Sequence, residues 1–195
     1  MARVRDVDIS EVPEDVRPVY ERYATAYGPF LNQLKVFAHR PPVVKHIMGL
    51  LLDLADEAVL PKRYLEIALV TVSKLNECAY CVVHHTPRLV DQGLAPDTVA
   101  NILDPDCPGL DDVERLVRDY AVQVATKPQY IHDAIFDALK KHFSEGQIVE
   151  LTLRIALCGF FNRFNEALGI GIEDGVLEEM LSRGASADDL PITKS

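Results

Sequence analysis

The segment from 62 to 75, KRYLEIALVTVSKL, constrains the fold more than any other part of the chain. Apolar residues fill most of its positions, and their spacing matches the period of an α-helix rather than the alternation of a strand. A helix that is apolar on most sides is stable in a protein interior, so we expect this helix in the core. Pro61 suits the first turn of the helix, where an N–H group has no intrahelical partner.

The rest of the chain repeats this helical periodicity, and no segment has a convincing strand pattern. Asn76 is predicted to cap the helix that follows the central one, and Gly93 to close it. The proline-containing stretch 104–109 is predicted to be a loop and is the candidate internal boundary. The sequence therefore predicts an all-α fold, with helices near 14–27, 30–39, 43–58, 62–75, 78–92, a short one from 96, 110–126, 129–143, 145–168 and 173–182.

A faint internal repeat relates residues 62–85 to residues 146–169 at an offset of 84 positions. Glu66 aligns with Glu150, and Cys81 aligns with Asn165. Two pseudo-repeated helical halves would produce this similarity, and so would chance agreement between two amphipathic helices. In either case we interpret residues 1–195 as one compact helical unit.

The chain is acidic, which argues against one class of function. Its 195 residues carry a formal net charge of −10, and an acidic surface repels the phosphates of nucleic acids. The start, MARVRDVDIS, lacks the apolar run of a signal peptide, and no stretch reaches the roughly 18 apolar residues that cross a bilayer. We therefore expect a cytoplasmic protein with no nucleic-acid or membrane partner, in which thiols stay reduced.

Two of the four cysteines lie in the sequence NECAYCVVHH at 76–85. Residues three and four apart share one face of a helix, so Cys78, Cys81 and His85 are predicted to form a stripe. The neighbouring His84 points roughly 100° away from it. A thiol attacks as its thiolate and needs a base or a positive field nearby. In a reducing compartment such a pair is typical of redox catalysis or metal binding.

The residues themselves leave two candidates for the nucleophile. The unpaired amides at a helix start favour an anion at Cys78, whereas His85, one turn away, can accept the proton of Cys81. Because the imidazole acts directly, we interpret Cys81 as the nucleophile and Cys78 as the resolving thiol. Glu66 lies in the most apolar helix and is either an exposed flank residue or a buried carboxylate that orients His85 or relays a proton.

Zinc binding is an alternative use of the same stripe. The stripe of Cys78, Cys81 and His85 would supply three ligands of a tetrahedral site. The fourth ligand would have to come from Cys107, Cys158 or His132. No second close pair of cysteines exists, and the apolar sequence around Cys158 is typical of a core cysteine. We therefore predict neither a metal nor a cofactor.

The stretch EIALVTVSKLNECAYCVVHH resembles the signature of the AhpD-like alkylhydroperoxidase branch of the carboxymuconolactone decarboxylase family. That signature is a glutamate, eleven residues, a cysteine, two residues, a second cysteine, three residues and a histidine. Glu66, Cys78, Cys81 and His85 fit it without a gap. The resemblance covers about residues 40–125, the predicted redox core. The helical C-terminal half near 110–182, with its FNRFNEALG stretch, resembles the longer peroxidase-related members.

This resemblance implies an AhpD-like helical bundle and a thiol-dependent alkylhydroperoxidase with peroxiredoxin-type activity, or a disulfide reductase. In the family scheme the second cysteine attacks a hydroperoxide, the first then forms a disulfide with it, and a glutamate and a histidine relay the proton. The resemblance also implies homo-oligomers and a dithiol reductant such as lipoamide held on a partner protein.

One position departs from the peroxidase prototype, which has a histidine directly before its second cysteine. Here that residue is Tyr80, which can donate a hydrogen bond but is a poor proton shuttle near neutral pH, so we expect it to support the site. Two alternative functions stay open. One is a lyase acting on a small carboxylated lactone without a cysteine pair, and the other is a non-enzymatic zinc-binding or interaction module.

Overall fold

The computed structural model describes residues 2–186 and residue 190. Met1, residues 187–189 and residues 191–195 of the predicted unit lie outside the described residues. Helices and no strands occur in the described part, which confirms the predicted all-α fold. The helices are α1 (Arg17–Ala26), α2 (Leu31–Phe37), α3 (Pro41–Val43), α4 (Gly49–Glu57), α5 (Lys62–Leu75), α6 (Ala79–Asp91), α7 (Pro96–Ala100), α8 (Asp112–Thr126), α9 (Asp133–Leu139), α10 (Glu145–Leu168) and α11 (Val176–Ser182).

Helix α5 lies at the centre of the larger core, as its apolar sequence predicts. Ile67, Ala68, Val70 and Val72 are fully buried, and the helix packs against α6, α8 and α10. Burying each large aliphatic side chain contributes about 1.5–3 kcal/mol, so this packing fixes α5 firmly. Pro61 stands directly before the helix as its N-cap residue, rather than within the first turn.

The turn between α5 and α6 places the first cysteine. Glu77 adopts a left-handed conformation with φ +52°. The N–H of Glu77 donates to the carbonyl of Lys74, and the N–H of Cys78 donates to the carbonyl of Ser73. These two bonds form the Schellman motif that ends many helices. Asn76 is the C-cap of α5, so its prediction as the cap of α6 is wrong. Cys78 is the N-cap of α6, and Gly93, at φ +89°, follows the end of that helix as predicted.

The N-terminal helices form a second core cluster against the start of α6. It contains side chains from α1, α2 and the helical run at 41–57, which includes a π-helical turn at Val44–Met48. Cys78, Tyr80 and Cys81 belong to this cluster, whereas α5 and the following helices build the larger one. The cysteine pair therefore lies where the two clusters meet. A third, small cluster joins α11 to α6 through Val83 and Met180.

Helix α10 spans Glu145–Leu168 without interruption. A capping box at Ser144 and Gln147 begins it, and Gly169, at φ +61°, ends it. The internal repeat would place a counterpart of the α5–α6 turn at 160–162, but these residues are helical. The two segments therefore share a sequence pattern and not a helix–turn–helix geometry. None of the helices within the described ranges is both long and apolar enough to cross a membrane.

Candidate active site

The structure brings the four predicted site residues together at the junction of the two core clusters. Glu66 comes from α5, Cys78 caps α6, and Cys81 and His85 lie on successive turns of α6. Glu66 and both cysteines are buried, with at most 8% of any of the three residues exposed. Of the two alternatives for Glu66, the buried carboxylate is confirmed and the exposed flank residue is wrong. A charged carboxylate in this position needs a partner.

His85 is the partner of Glu66. Its Nδ1 lies 2.8 Å from Oε2 of Glu66, and the side chains are 13% and 10% exposed. Burial lowers the pKa of His85, and this effect outweighs the opposing influence of the Glu66 charge. The imidazole is therefore neutral at pH 7. Because the carboxylate requires a proton on Nδ1, the unprotonated nitrogen is Nε2, which is free to act as a base.

The two cysteines are free thiols and nearly inaccessible. The hydrogen-bonding interaction with the Cys81 thiol raises the pKa of Cys78, and burial raises it further. Cys78 therefore stays protonated at neutral pH and can donate a hydrogen bond to a thiolate at Cys81. The N-cap and the third residue of a helix lie close together by geometry, so the turn that positions Cys78 also pairs the sulfur atoms.

Two buried amides on the other side of Cys81 were not predicted from the sequence. Nδ2 of Asn165 donates to Sγ of Cys81 at 3.3 Å, and Nε2 of Gln33 donates to Oδ1 of Asn165 at 2.8 Å. The second bond orients the Asn165 amide so that its N–H group faces the sulfur. An N–H donor stabilises a thiolate more than a thiol, because hydrogen bonds to charged groups are stronger. The only signal in the sequence was the alignment of Asn165 with Cys81 in the faint repeat.

Tyr80 and His84 belong to a separate buried cluster around Glu173. The Tyr80 hydroxyl donates to Oε1 of Glu173 at 2.8 Å. Nε2 of His84 lies 2.7 Å from Oε2 of the same carboxylate, and its Nδ1 faces the carbonyl of Tyr80. Both ring nitrogens of His84 lie within hydrogen-bond distance of oxygen atoms, and these contacts fix the orientation of the ring. Burial alone would raise the pKa of Glu173, but hydrogen bonds and the His84 charge hold it below its ordinary value. Tyr80 therefore bonds to Glu173, and its supporting role at the site stays a prediction.

Two adjoining chambers give access to the site. The inner chamber has a volume of about 50 Å³ and is lined by Cys81 and His85, with aromatic and aliphatic side chains around them. The outer chamber has a volume of about 370 Å³ and is lined by Glu66, His85 and several charged side chains. Tyr27, Leu69, His85 and Arg154 line both chambers.

The other cysteines do not extend the site into a metal centre. Sγ of Cys158 lies 3.4 Å from the Ser73 hydroxyl, and burial raises the pKa of its thiol to about 12. Cys107 donates to the carbonyl of Thr98, away from the stripe on α6. In the part of the chain that the structure describes, no group of three or more His, Cys, Asp or Glu side chains could hold a metal ion.

Residues 41–108 match the model of the carboxymuconolactone decarboxylase family. The matched segment contains Glu66, Cys78, Cys81 and His85, so the predicted resemblance is confirmed for this part of the chain. The match to this family covers residues 41–108, about a third of the chain. A comparison with curated protein sequences gives no match.

Several solved structures share the fold. The alkylhydroperoxidase AhpD core of a peroxidase-related protein from Ralstonia eutropha JMP134 aligns with a TM-score of 0.73 and 23% identity, over 90% of this chain and 94% of that chain. A peroxidase-related protein from Silicibacter sp. TM1040 aligns with a TM-score of 0.76 and 19% identity, over 92% and 95%. The debrominase Bmp8, as a cysteine-to-alanine variant with 2,3,4-tribromopyrrole, aligns with a TM-score of 0.70 and 23% identity, over 92% and 95%. These similarities establish an AhpD-like helical fold.

Proposed function

We propose that the protein is a thiol peroxidase of the AhpD type, in which Cys81 is oxidised by an organic hydroperoxide and Cys78 resolves the product. One observation carries the proposal: Glu66 holds the Nδ1 side of His85 at 2.8 Å, while His85 and Cys81 line the same small chamber. A neutral imidazole of fixed tautomer beside a buried thiol is the arrangement that general-base activation of a nucleophile requires.

In the first step, Nε2 of His85 takes the proton of the Cys81 thiol. The thiolate then attacks the terminal oxygen of the hydroperoxide, and the O–O bond breaks as the S–O bond forms. The alkoxide leaves as an alcohol with the proton returned by His85. The thiol and ROOH thereby become a sulfenic acid and ROH. The Asn165 amide, 3.3 Å from the sulfur, stabilises the thiolate before the attack.

In the second step, the Cys78 sulfur attacks the sulfur of the Cys81 sulfenic acid and water leaves. The product is a Cys78–Cys81 disulfide, which a dithiol such as dihydrolipoamide reduces by thiol–disulfide exchange. The raised pKa of Cys78 suits this order of events, because Cys78 is a poor competitor for the hydroperoxide while it is protonated.

The experiment is consumption of cumene hydroperoxide with dihydrolipoamide as the reductant. We expect Cys81→Ser to abolish turnover and Cys78→Ser to stop it after one oxidation of Cys81. Cys107→Ser, at a thiol outside both chambers, is the matched control and should turn over like the unaltered chain. Full turnover by Cys81→Ser would reject the proposal.

Two further substrates distinguish the alternative functions. A lyase of the decarboxylase arm acts without a cysteine pair, so its activity on a carboxylated lactone should survive in the double variant Cys78→Ser, Cys81→Ser. A dehalogenating enzyme should release bromide from 2,3,4-tribromopyrrole in a reaction that needs Cys81. Either result, without hydroperoxide consumption, would replace the peroxidase assignment.

A further inference from the structure

Arg154 is a buried cation that the proposed peroxidase chemistry does not use. It lies on α10, is 7% exposed and lines both chambers. Across residues 2–186 and residue 190, no group forms a hydrogen bond or an ion pair with its guanidinium. The other buried arginine, Arg118, donates to three backbone carbonyls and pairs with Asp119. A buried charge without a partner is costly, so the open position beside Arg154 is a feature that needs an explanation.

The acidic side chains of the outer chamber form no hydrogen bond or close ion pair with Arg154, although the charge of Arg154 acts on Glu150. Glu66 is bonded to His85, and Asp91 forms an ion pair with Arg183. Glu150, one turn before Arg154, has an Oε2 atom without a hydrogen-bond partner. Burial raises the pKa of Glu150, and this effect outweighs the opposing influence of the Arg154 charge. Besides Arg154, the other cations that line this chamber are Arg88, which stacks over Phe30, and Lys62.

The inner chamber is lined by positive charge alone, whereas both signs of charge line the outer chamber. Among the described residues that line the inner chamber, Arg154 alone is permanently charged, since His85 is neutral at pH 7 and the other side chains are uncharged. Aromatic rings form much of the wall, from Tyr23, Tyr27, Phe30 and Phe161. A ligand that fits these surfaces has a compact apolar or aromatic body and one negative group. A guanidinium binds a carboxylate through two parallel hydrogen bonds, which makes a carboxylate the matching anion.

We propose that Arg154 is a specificity-determining residue that binds the carboxylate of a small hydroperoxide acid while its peroxide group faces Cys81. This inference rests on the proposed peroxidase function and narrows its substrate class to hydroperoxides with a carboxylate on an apolar or aromatic body. The redox step is unchanged: the O–O bond breaks, Cys81 gains the terminal oxygen, and the hydroxy acid leaves with its carboxylate still on Arg154.

The test compares two hydroperoxides that differ only by a carboxylate: cumene hydroperoxide and its para-carboxylate derivative. We expect kcat/KM to be about 10- to 100-fold higher for the carboxylate, the range for a charge-assisted bidentate contact. Arg154→Gln should bring this ratio close to one, and Arg154→Lys should retain part of it. Arg163→Gln, at an exposed arginine on the same helix, is the matched control and should keep the full ratio.

A binding measurement separates the failure of this inference from failure of the proposed function. Calorimetric titration of the reduced protein with 4-isopropylbenzoate, which has no peroxide, should show binding that weakens at least about tenfold in Arg154→Gln. Such binding without turnover of either hydroperoxide would support the anion site and reject the peroxidase. Equal kcat/KM for both hydroperoxides in the unaltered chain would overturn the inference. An unchanged kcat/KM ratio in Arg154→Gln would also overturn the inference. It would mean that the Arg154 charge affects both hydroperoxides equally, through Cys81, and does not bind the carboxylate. If Arg154→Gln does not fold, the inference is tested by the kcat/KM ratio of the two hydroperoxides in the unaltered chain and in Arg154→Lys.

Discussion

Nδ1 of His85 lies 2.8 Å from Oε2 of Glu66, and this contact links the central helix of the core to the helix that carries the cysteines. Because α5 is packed on several sides, the carboxylate is fixed, and the imidazole is fixed through it. Only Nε2 of His85 is then left as a proton acceptor for the chamber that contains Cys81. The proposed chemistry depends on that one tautomer.

Replacing Glu66 by glutamine should prevent His85 from acting as a base, without leaving a cavity in the site. A glutamine amide can donate to Nδ1 and thereby move the imidazole proton to Nε2, the wrong nitrogen for accepting the proton of Cys81. We expect Cys81 oxidation by cumene hydroperoxide to slow by about 100-fold, within the range for general-base catalysis. Stopped-flow measurement of sulfenic acid formation checks this, with the exposed Glu166→Gln as control. A change below about twofold would show that Glu66 does not set the tautomer.

The pH dependence of Cys81 oxidation should report the state of His85. Burial holds the His85 pKa below its ordinary value of about 6.5. The rate should therefore fall only when the pH drops below that value, as the imidazole becomes protonated. The Glu66 charge raises the His85 pKa, so Glu66→Gln should move the acid limb to still lower pH. The pH–rate profile and the NMR titration of His85 are the measurements. A limb above pH 6.5 would contradict the neutral base.

Removing the Asn165 amide should reduce the reactivity of Cys81 in the absence of any peroxide. Asn165→Ala leaves a thiolate at Cys81 without its N–H donor, so alkylation by iodoacetamide at pH 7 should slow by about tenfold. Asn162→Ala is the matched control, because Asn162 is buried on the same helix but accepts from Asn76. Equal alkylation rates in the two variants would remove Asn165 from the site.

The contacts of Glu173 with His84 and Tyr80 should matter for stability. The His84 side chain is completely inaccessible, so Glu173→Gln removes the buried carboxylate that both side chains contact and should lower the free energy of unfolding by about 1–3 kcal/mol. Urea unfolding at pH 7 checks this, with the exposed Glu178→Gln as control. Glu173 has a lowered pKa, so its contribution is complete above the ordinary glutamate pKa of about 4.3 and is lost as the pH falls through the folded-state value. A pH-independent difference would show that the ionised carboxylate of Glu173 does not make this contribution.

The sequence predicts the parts of this structure that depend on local spacing. The apolar repeat at 62–75 identifies the central helix, and the intervals between Cys78, Cys81 and His85 place them on one face of α6. Helix ends are less accurate where capping decides them. In place of one helix at 129–143, the structure has a 3₁₀ turn at Pro128–Tyr130 and the short α-helix Asp133–Leu139, because His132 takes an extended conformation and interrupts the periodic run.

Long-range contacts account for what the sequence does not predict. Gln33 and Asn165 reach Cys81 only because α2 and α10 converge on the start of α6, and neither residue has a local pattern that indicates a role. Glu173 lies in a loop before α11, yet it determines where Tyr80 and His84 point. Arg154 occupies an ordinary helical position, and only the structure shows that its side chain lines both chambers.

The central claim is that one hydroperoxide molecule converts Cys78 and Cys81 into a disulfide. The most direct test is mass analysis of the peptide that contains both residues, before and after one equivalent of cumene hydroperoxide, with Cys107 and Cys158 followed in the same digest. The account predicts the loss of two hydrogen atoms from the Cys78–Cys81 peptide, with the other two cysteines unchanged. An unoxidised peptide, or a disulfide that joins Cys81 to Cys158, would contradict it.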